Sequence, residues 1–219
     1  MITYEIIKND NDINTYIREA DKALLALGYT EHSFAHVTTV AVRASEILKG
    51  IGKGERCVEL AMIAGYLHDI GNLVNRVDHS QSGALISFRL LDKLGMNAEE
   101  IAAIALAIGN HDEGSGVPVS DLAAALIIAD KSDVRRSRVR NSDIHSFDIH
   151  DRVNYSVTRS SLDLDCERGE ITLDLTVDTE ISSIMDYFEI FLGRMKLCRS
   201  AAERLGLRFR LRINNTSFI

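Results

Sequence analysis

The sequence predicts a mainly α fold, with a helical bundle over residues 1–141 and a small α+β segment, ordered β-β-α-β, over residues 142–219. Three observations carry this. From Ile13 to Val134, apolar residues recur three and four apart in segments closed by glycines. The single proline, Pro118, leaves those segments unbroken. After Asn141 the apolar period shifts to two, returns to helical spacing once, and shifts to two again.

Residues 3–8 read as a short extended lead-in. Asn9-Asp10-Asn11-Asp12 is a run of helix-capping types, and Ile13, Ile17, Ala20, Leu24 and Leu27 make the buried face of the first helix, which Gly28 stops. Residues 31–49 form a second amphipathic helix ended by Gly50, with His32 and His36 four apart on one face. Residues 54–67 are apolar almost all round, so this third helix is expected to be central and buried. A fourth opens at Val77-Asp78-His79-Ser80 and ends at Gly95. A fifth spans residues 97–108, with Asn97 and Glu100 as a variant capping box. A sixth, very apolar, spans residues 120–134. Residues 145–151 are polar and irregular. Residues 152–164 and 170–177 alternate as a β-hairpin about Cys166-Glu167-Arg168-Gly169, residues 179–205 form a long helix stopped by Gly206, and residues 207–213 alternate as a strand with one apolar and one basic face.

Composition narrows the function classes. A chain of 219 residues with a net charge of −7 is not expected to seek polymeric nucleic acid or an anionic membrane. No apolar run is long enough to span a bilayer, and residues 1–12 lack a basic start and an apolar signal core. Cys57, Cys166 and Cys198 are scattered and odd in number, which fits a reducing compartment and excludes a cysteine zinc motif. A cytoplasmic protein is expected.

The chemistry gathers around Ala64-Gly65-Tyr66-Leu67-His68-Asp69-Ile70-Gly71. An ionisable pair at the end of an apolar helix is costly to bury unless something pairs with it. A divalent cation meets that need, because a neutral imidazole and a two-oxygen carboxylate are both metal donors. Other ends and interiors of apolar helices add His36, His79, His111 and Asp130. Arg135, Arg136, Arg138 and Arg140 follow Asp130-Lys131 as the main basic concentration in an acidic chain.

The order His36, His68-Asp69, Asp130 resembles the HD superfamily of metal-dependent phosphohydrolases, over residues 20–140. Members with two metals carry additional histidines between the His-Asp pair and the last Asp, where His79 and His111 stand. Within the superfamily the sequence is similar to the cyclic-dinucleotide phosphodiesterase and diadenosine polyphosphate hydrolase branches. The former's His-Asp-x-Gly-Lys here reads His68-Asp69-Ile70-Gly71-Asn72, and its His-His-Glu and Gly-Tyr-Pro elements read Asn110-His111-Asp112 and Gly116-Val117-Pro118. The lysine, one histidine and the tyrosine are absent, which argues against cyclic-dinucleotide cleavage and leaves the metal set intact.

The resemblance implies a phosphohydrolase acting on a small phosphorylated molecule, with a nucleotide as the expected class, and one or two divalent transition metals (Fe, Mn, Ni or Zn) per chain. Asp69 would bridge; His36, His68 and Asp130 would complete one metal, and His79 and His111 would hold the other. Asp69 and His68 are the expected catalytic pair. Lys131, Arg135 and Arg138 are candidates for gripping phosphate. Asp112 is a candidate to support a ligand, Asp133 is read as balancing the arginines, and His145 and His150 as linker histidines. Two alternatives stay open: a di-iron oxygenase of the same fold, and a non-catalytic metal- or nucleotide-binding signalling module. The strand edges of the last segment offer a route to a homodimer.

Overall fold

The computed structural model describes residues 1–219. Helices α1 (Tyr4–Lys8), α2 (Asn11–Ala26), α3 (Phe34–Gly50), α4 (Glu55–Leu67), α5 (His79–Lys93), α6 (Ala98–Gly109) and α7 (Asp121–Lys131) form the bundle. Helix α8 (Ile149–Ser156), strands β1 (Val157–Asp165) and β2 (Glu170–Val177), helix α9 (Ile184–Arg204) and strands β3 (Arg208–Ile213) and β4 (Thr216–Ser217) follow. The mainly α architecture with a small C-terminal sheet is therefore as the sequence predicts. No helix is long and apolar enough to cross a membrane.

Capping explains most of the boundaries. Asp10, Ser33, Asn97, Ser120 and Ser183 each accept a backbone N–H of the first turn they precede. Only half of the capping box predicted at Asn97 forms, because the Glu100 carboxylate takes both forks of Arg56 instead, at 2.6 and 2.5 Å. Arg56 also donates to the carbonyl of Ile2, so one guanidinium ties the N-terminal turn to α4 and α6.

Four local readings change. Residues 3–8 are not extended: Thr3 caps α1, and Tyr4 and Ile7, three apart, are buried. Helix α3 starts at Phe34, so His32 precedes it and does not share a helical face with His36. Residues 152–156 belong to α8, because Asp148 caps a helix there and Val153, Asn154 and Ser156 turn inward. The most enclosed helix is α7, whose residues 122–129 are all buried; α4 is buried mainly in its second half, from Ile63 to Leu67.

The sheet order is β1-β2-β3-β4. Strands β1 and β2 pair antiparallel from Val157↔Val177 to Asp165↔Glu170, with an irregularity between Val157 and Arg159. Strands β2 and β3 pair parallel, Glu170↔Arg208 to Leu175↔Ile213, joined by the α9 crossover. Ile171, Leu173 and Leu175 face the core beside Phe209, Leu211 and Ile213. The basic face of β3 meets acids of β2, with Glu170 bonding Arg210 and Asp174 bonding Arg212. Helix α9 packs on both α7 and β3, and one apolar core of 48 residues runs from α1 to β3.

Helices α3 and α4 approach closely because of Gly65, where a Cβ would lie 2.6 Å from the Cα of Ala41 and 2.7 Å from its nitrogen. That crossing sets the spacing between His36 on α3 and His68 at the end of α4. A Gly65→Ala substitution is expected to lower stability by about 1–3 kcal/mol through overpacking and to weaken metal retention. Thermal unfolding with elemental analysis of the folded fraction checks both.

Candidate metal centre

His68 caps the C-terminus of α4, and Asp69 opens the 3-10 turn Ile70–Leu73. That turn lies directly against the start of α5: a Cβ on Gly71 would collide with the carbonyl of His79 and the nitrogen of Gly83. Asp78 takes a left-handed φ of 55° just before α5, and His79 is its first residue. His111 follows α6, His36 lies in the first turn of α3, and Asp130 lies in the last turn of α7. Five helices thus deliver one or two groups each to a common point.

The imidazoles are oriented alike. Nδ1 of His68 donates to the carbonyl of Gly65 at 2.8 Å, that of His79 to Arg76 at 3.1 Å, and that of His111 to Ile108 at 2.6 Å. Nδ1 of His36 instead meets Oδ2 of Asp133 at 2.8 Å. Carbonyl oxygens only accept, so Nδ1 carries a proton, and in the neutral ring each Nε2 presents a lone pair. These lone pairs converge. Nε2 of His36 lies 3.5 Å from Oδ2 of Asp69 and 3.3 Å from Oδ1 of Asp130; Nε2 of His68 lies 3.3 and 3.6 Å from the same two atoms. On the other side of Asp69, Oδ1 lies 3.5 Å from Nε2 of His79, which is 3.3 Å from Nε2 of His111.

Nε2 of His36, Nε2 of His68 and Oδ2 of Asp69 are buried with no hydrogen-bond partner. Buried polar atoms in that state cost free energy unless a cation satisfies them. His36, His68 and Asp130 form one group that could hold a metal ion, and His68, Asp69 and His111 form another. Donor chemistry, spacing and orphaned atoms all fit a divalent metal.

The electrostatics agree. Burial alone would lower the pKa of His68, but the adjoining Asp69 and Asp130 carboxylates overcome it and raise it to about 10. His36 is also raised against burial and the field of Arg138, through Asp130, Asp133 and Asp69. Asp69 and Asp130 are held well below the usual carboxylate range despite burial, by His68 in one case and by Lys131 and His36 in the other. His111 moves the opposite way, to about 3, through burial and the nearby His68 and Lys131. In the metal-free chain a proton thus stands in for the cation.

The other predicted residues separate. Lys131 is buried, 2.8 Å from Asp130 and 2.6 Å from Glu113. Arg138 lines the cavity in front of the centre, with Nε on the carbonyl of Glu31 and Nη1 on that of Asp133. Arg135 lies outside that lining and pairs with Asp133 and Glu31. Asp112 comes within 3.9 Å of His79. Among the histidines, His32 and His150 line the cavity, whereas His145 is exposed and away from it.

Sequence reasoning missed four contributors. Asp133 does balance arginines, but its Oδ2 also orients His36. Its position one turn after Asp130 was the available signal. Arg76 places Nη1 3.3 Å from Nε2 of His79 and has no carboxylate partner; it stands three residues before His79. Glu113 joins Lys131 to Arg194 of α9; burial pushes its carboxyl up, but these two cations overcome that and hold it below the usual carboxylate range. The polar side of α8 borders the cavity, for which the irregular sequence there gave no sign.

Residues 33–135 match the family model of the HD domain. Over those residues the chain is similar to HD domains, which supports HD superfamily membership. All of the candidate ligands lie within the matched HD residues. The chain is similar, at 30% identity over 64% of its own length, to the uncharacterized protein MJ1020 of Methanocaldococcus jannaschii, and it spans 62% of the length of that curated relative. It is also similar to the crystal structure of a predicted HD superfamily hydrolase from an uncultured Thermotogales bacterium, at 27% identity, covering 62% of this chain and 75% of that one with a TM-score of 0.46.

Two predictions follow from the geometry of the centre. Because His68 titrates near 10 without metal, it is protonated at pH 7 and must lose that proton to ligate. Metal loading is expected to release about one proton or more, and affinity is expected to rise with pH through neutrality and level off above about 10. Calorimetry in buffers of different ionisation enthalpy reads the proton count. Separately, Asp133→Asn is expected to weaken metal binding about 10–100-fold while the fold persists; competition with a metallochromic chelator measures it.

Proposed function

We propose that this protein hydrolyses a phosphate ester or anhydride of a small phosphorylated molecule, with nucleotides as the first class to be tried. The observation that supports this most is the convergence of four Nε2 atoms and both oxygens of Asp69 beside a cavity of about 470 Å³ that Asp69, His79 and Asp130 line together with cationic side chains. Such a volume suits a small molecule rather than a polymer.

In this reading His36, His68, Asp69 and Asp130 hold one divalent transition cation, and Asp69, His79 and His111 hold a second. Mixed imidazole and carboxylate donors suit Fe, Mn, Ni or Zn. When bound, such ions supply hydroxide at neutral pH and offset charge on the phosphoryl oxygens. The chain's own groups do the rest. Asp69, kept ionised by His68, presents one oxygen to each side. Asp133 fixes the ring of His36. Lys131 stays an ammonium despite burial, because Asp130 and Glu113 flank it, and its third N–H is left to donate to a phosphoryl oxygen. Arg76, free of any carboxylate, is the second grip and replaces Arg135 in that role.

Asp69→Ala is expected to lose both transition metal and phosphate release, by at least about 10³-fold in kcat/KM, with helical content unchanged. Elemental analysis and a panel of nucleotides, dinucleotides and p-nitrophenyl phosphate test this. Unchanged metal content in the variant would sink the reading.

A further inference from the structure

Part of the wall of the cavity comes from the C-terminal segment. Helix α8 contributes Asp151 and Asn154, three apart and so on one face, and α9 contributes Phe191 and Arg194. Asp151 and Asn154 are 9% and 7% exposed. Their hydrogen bonding is unfinished. The Asp151 carboxylate receives one long bond from Nδ2 of Asn141, at 3.4 Å. Asn154 spends its Nδ2 on the carbonyl of His150, and its Oδ1 accepts nothing. Their free oxygens are not sealed in the protein but open to the cavity that both residues line. What they present to the cavity is acceptor oxygen alone, and burial raises the pKa of Asp151, as expected of an underpartnered carboxylate.

Acceptors without donors call for a ligand rich in donors. A second phosphate is excluded, since it would face Asp151 directly. An ammonium is the competing donor, since Asp69, Glu113, Asp130 and Asp148 line the same cavity alongside Arg76, Lys131, Arg138 and Arg194. Hydroxyl groups donate without bringing a charge that must be balanced. A carboxylate oxygen pair beside an amide oxygen is suited to O–H donors on adjacent carbons.

We propose that Asp151 and Asn154 of α8 form a subsite for a vicinal pair of hydroxyl groups on the organic part of a phosphomonoester whose phosphate lies toward Lys131 and Arg76. This rests on the phosphohydrolase reading above and narrows it to monoesters of polyhydroxylated molecules. The shared chemistry occurs in a sugar phosphate and in the ribose of a nucleoside monophosphate. Tyr29, with the Arg76 guanidinium 5.7 Å over its ring, borders the same cavity and would favour the nucleoside.

The test compares ribose 5-phosphate with 2-deoxyribose 5-phosphate as substrates of the Mn-loaded full chain. Their phosphonate analogues, in which carbon replaces the ester oxygen, are measured in parallel by calorimetry, so that binding is read without turnover. A preference for the vicinal diol of at least about tenfold in both kcat/KM and Kd is expected, and it should shrink toward unity in Asp151→Asn and Asn154→Leu. Adenosine monophosphate bound more tightly than ribose 5-phosphate would assign the source as a nucleoside; the reverse order would assign it as a sugar phosphate, and either supports the subsite. Hydrolysis without preference in the wild type overturns the subsite and leaves the phosphohydrolase reading standing. Preferential binding with no turnover of any ester supports the subsite and ends that reading. Failure to bind either phosphonate, or tighter binding of phosphoethanolamine, overturns the subsite.

Discussion

Three histidines of this chain bond the carbonyl three residues before them: His68 to Gly65, His79 to Arg76 and His111 to Ile108. Each bond closes where a helix begins or ends, at backbone groups with no helical partner of their own or next to them. It also fixes which ring nitrogen carries the proton. Everything else at the centre depends on that. With Nδ1 committed, the Nε2 atoms of the neutral rings accept, and a buried cluster of acceptors around an ionised Asp69 is stable when a cation, or in its absence a proton, is shared among them.

The bundle serves this arrangement by putting helix termini where helix interiors would normally meet. Close backbone contacts at Gly65 and Gly71 bring the α3–α4 crossing and the start of α5 within reach of one another. The enclosing apolar helices exclude water, so the same carboxylates that raise His68 to about 10 act at nearly full strength. Polar residues that look expensive one by one are therefore supported jointly.

Much of this was legible in the sequence. His36, His68-Asp69 and Asp130 stand out because charged and imidazole groups interrupt apolar helical runs, and that contrast needs no tertiary knowledge. His79 and His111 show less contrast, being at helix edges, yet the structure brings them to the same point. The role of Asp133 toward His36 was hidden because an acid beside arginines has an adequate local explanation. The pairing of Glu113 with Arg194 was hidden because it links a loop to a helix far along the chain. The first five helical residues were misread because a single turn leaves too little periodicity to be told from a strand. The polar side of α8 was hidden because a helix of two turns with few apolar residues was divided between an irregular stretch and the start of a strand.

Helix α7 is buried along residues 122–129, and α9 is one of the helices that cover it. During synthesis, α7 leaves the ribosome well before α9 exists. The part of its alanine- and isoleucine-rich surface that α9 covers must wait while β1 and β2 are made. The bundle can collapse early, but its last apolar flank closes only when the crossover helix docks. Slow translation or early release would therefore expose a flat, sticky helix face next to a half-built metal centre, a state suited to chaperone capture rather than to chemistry.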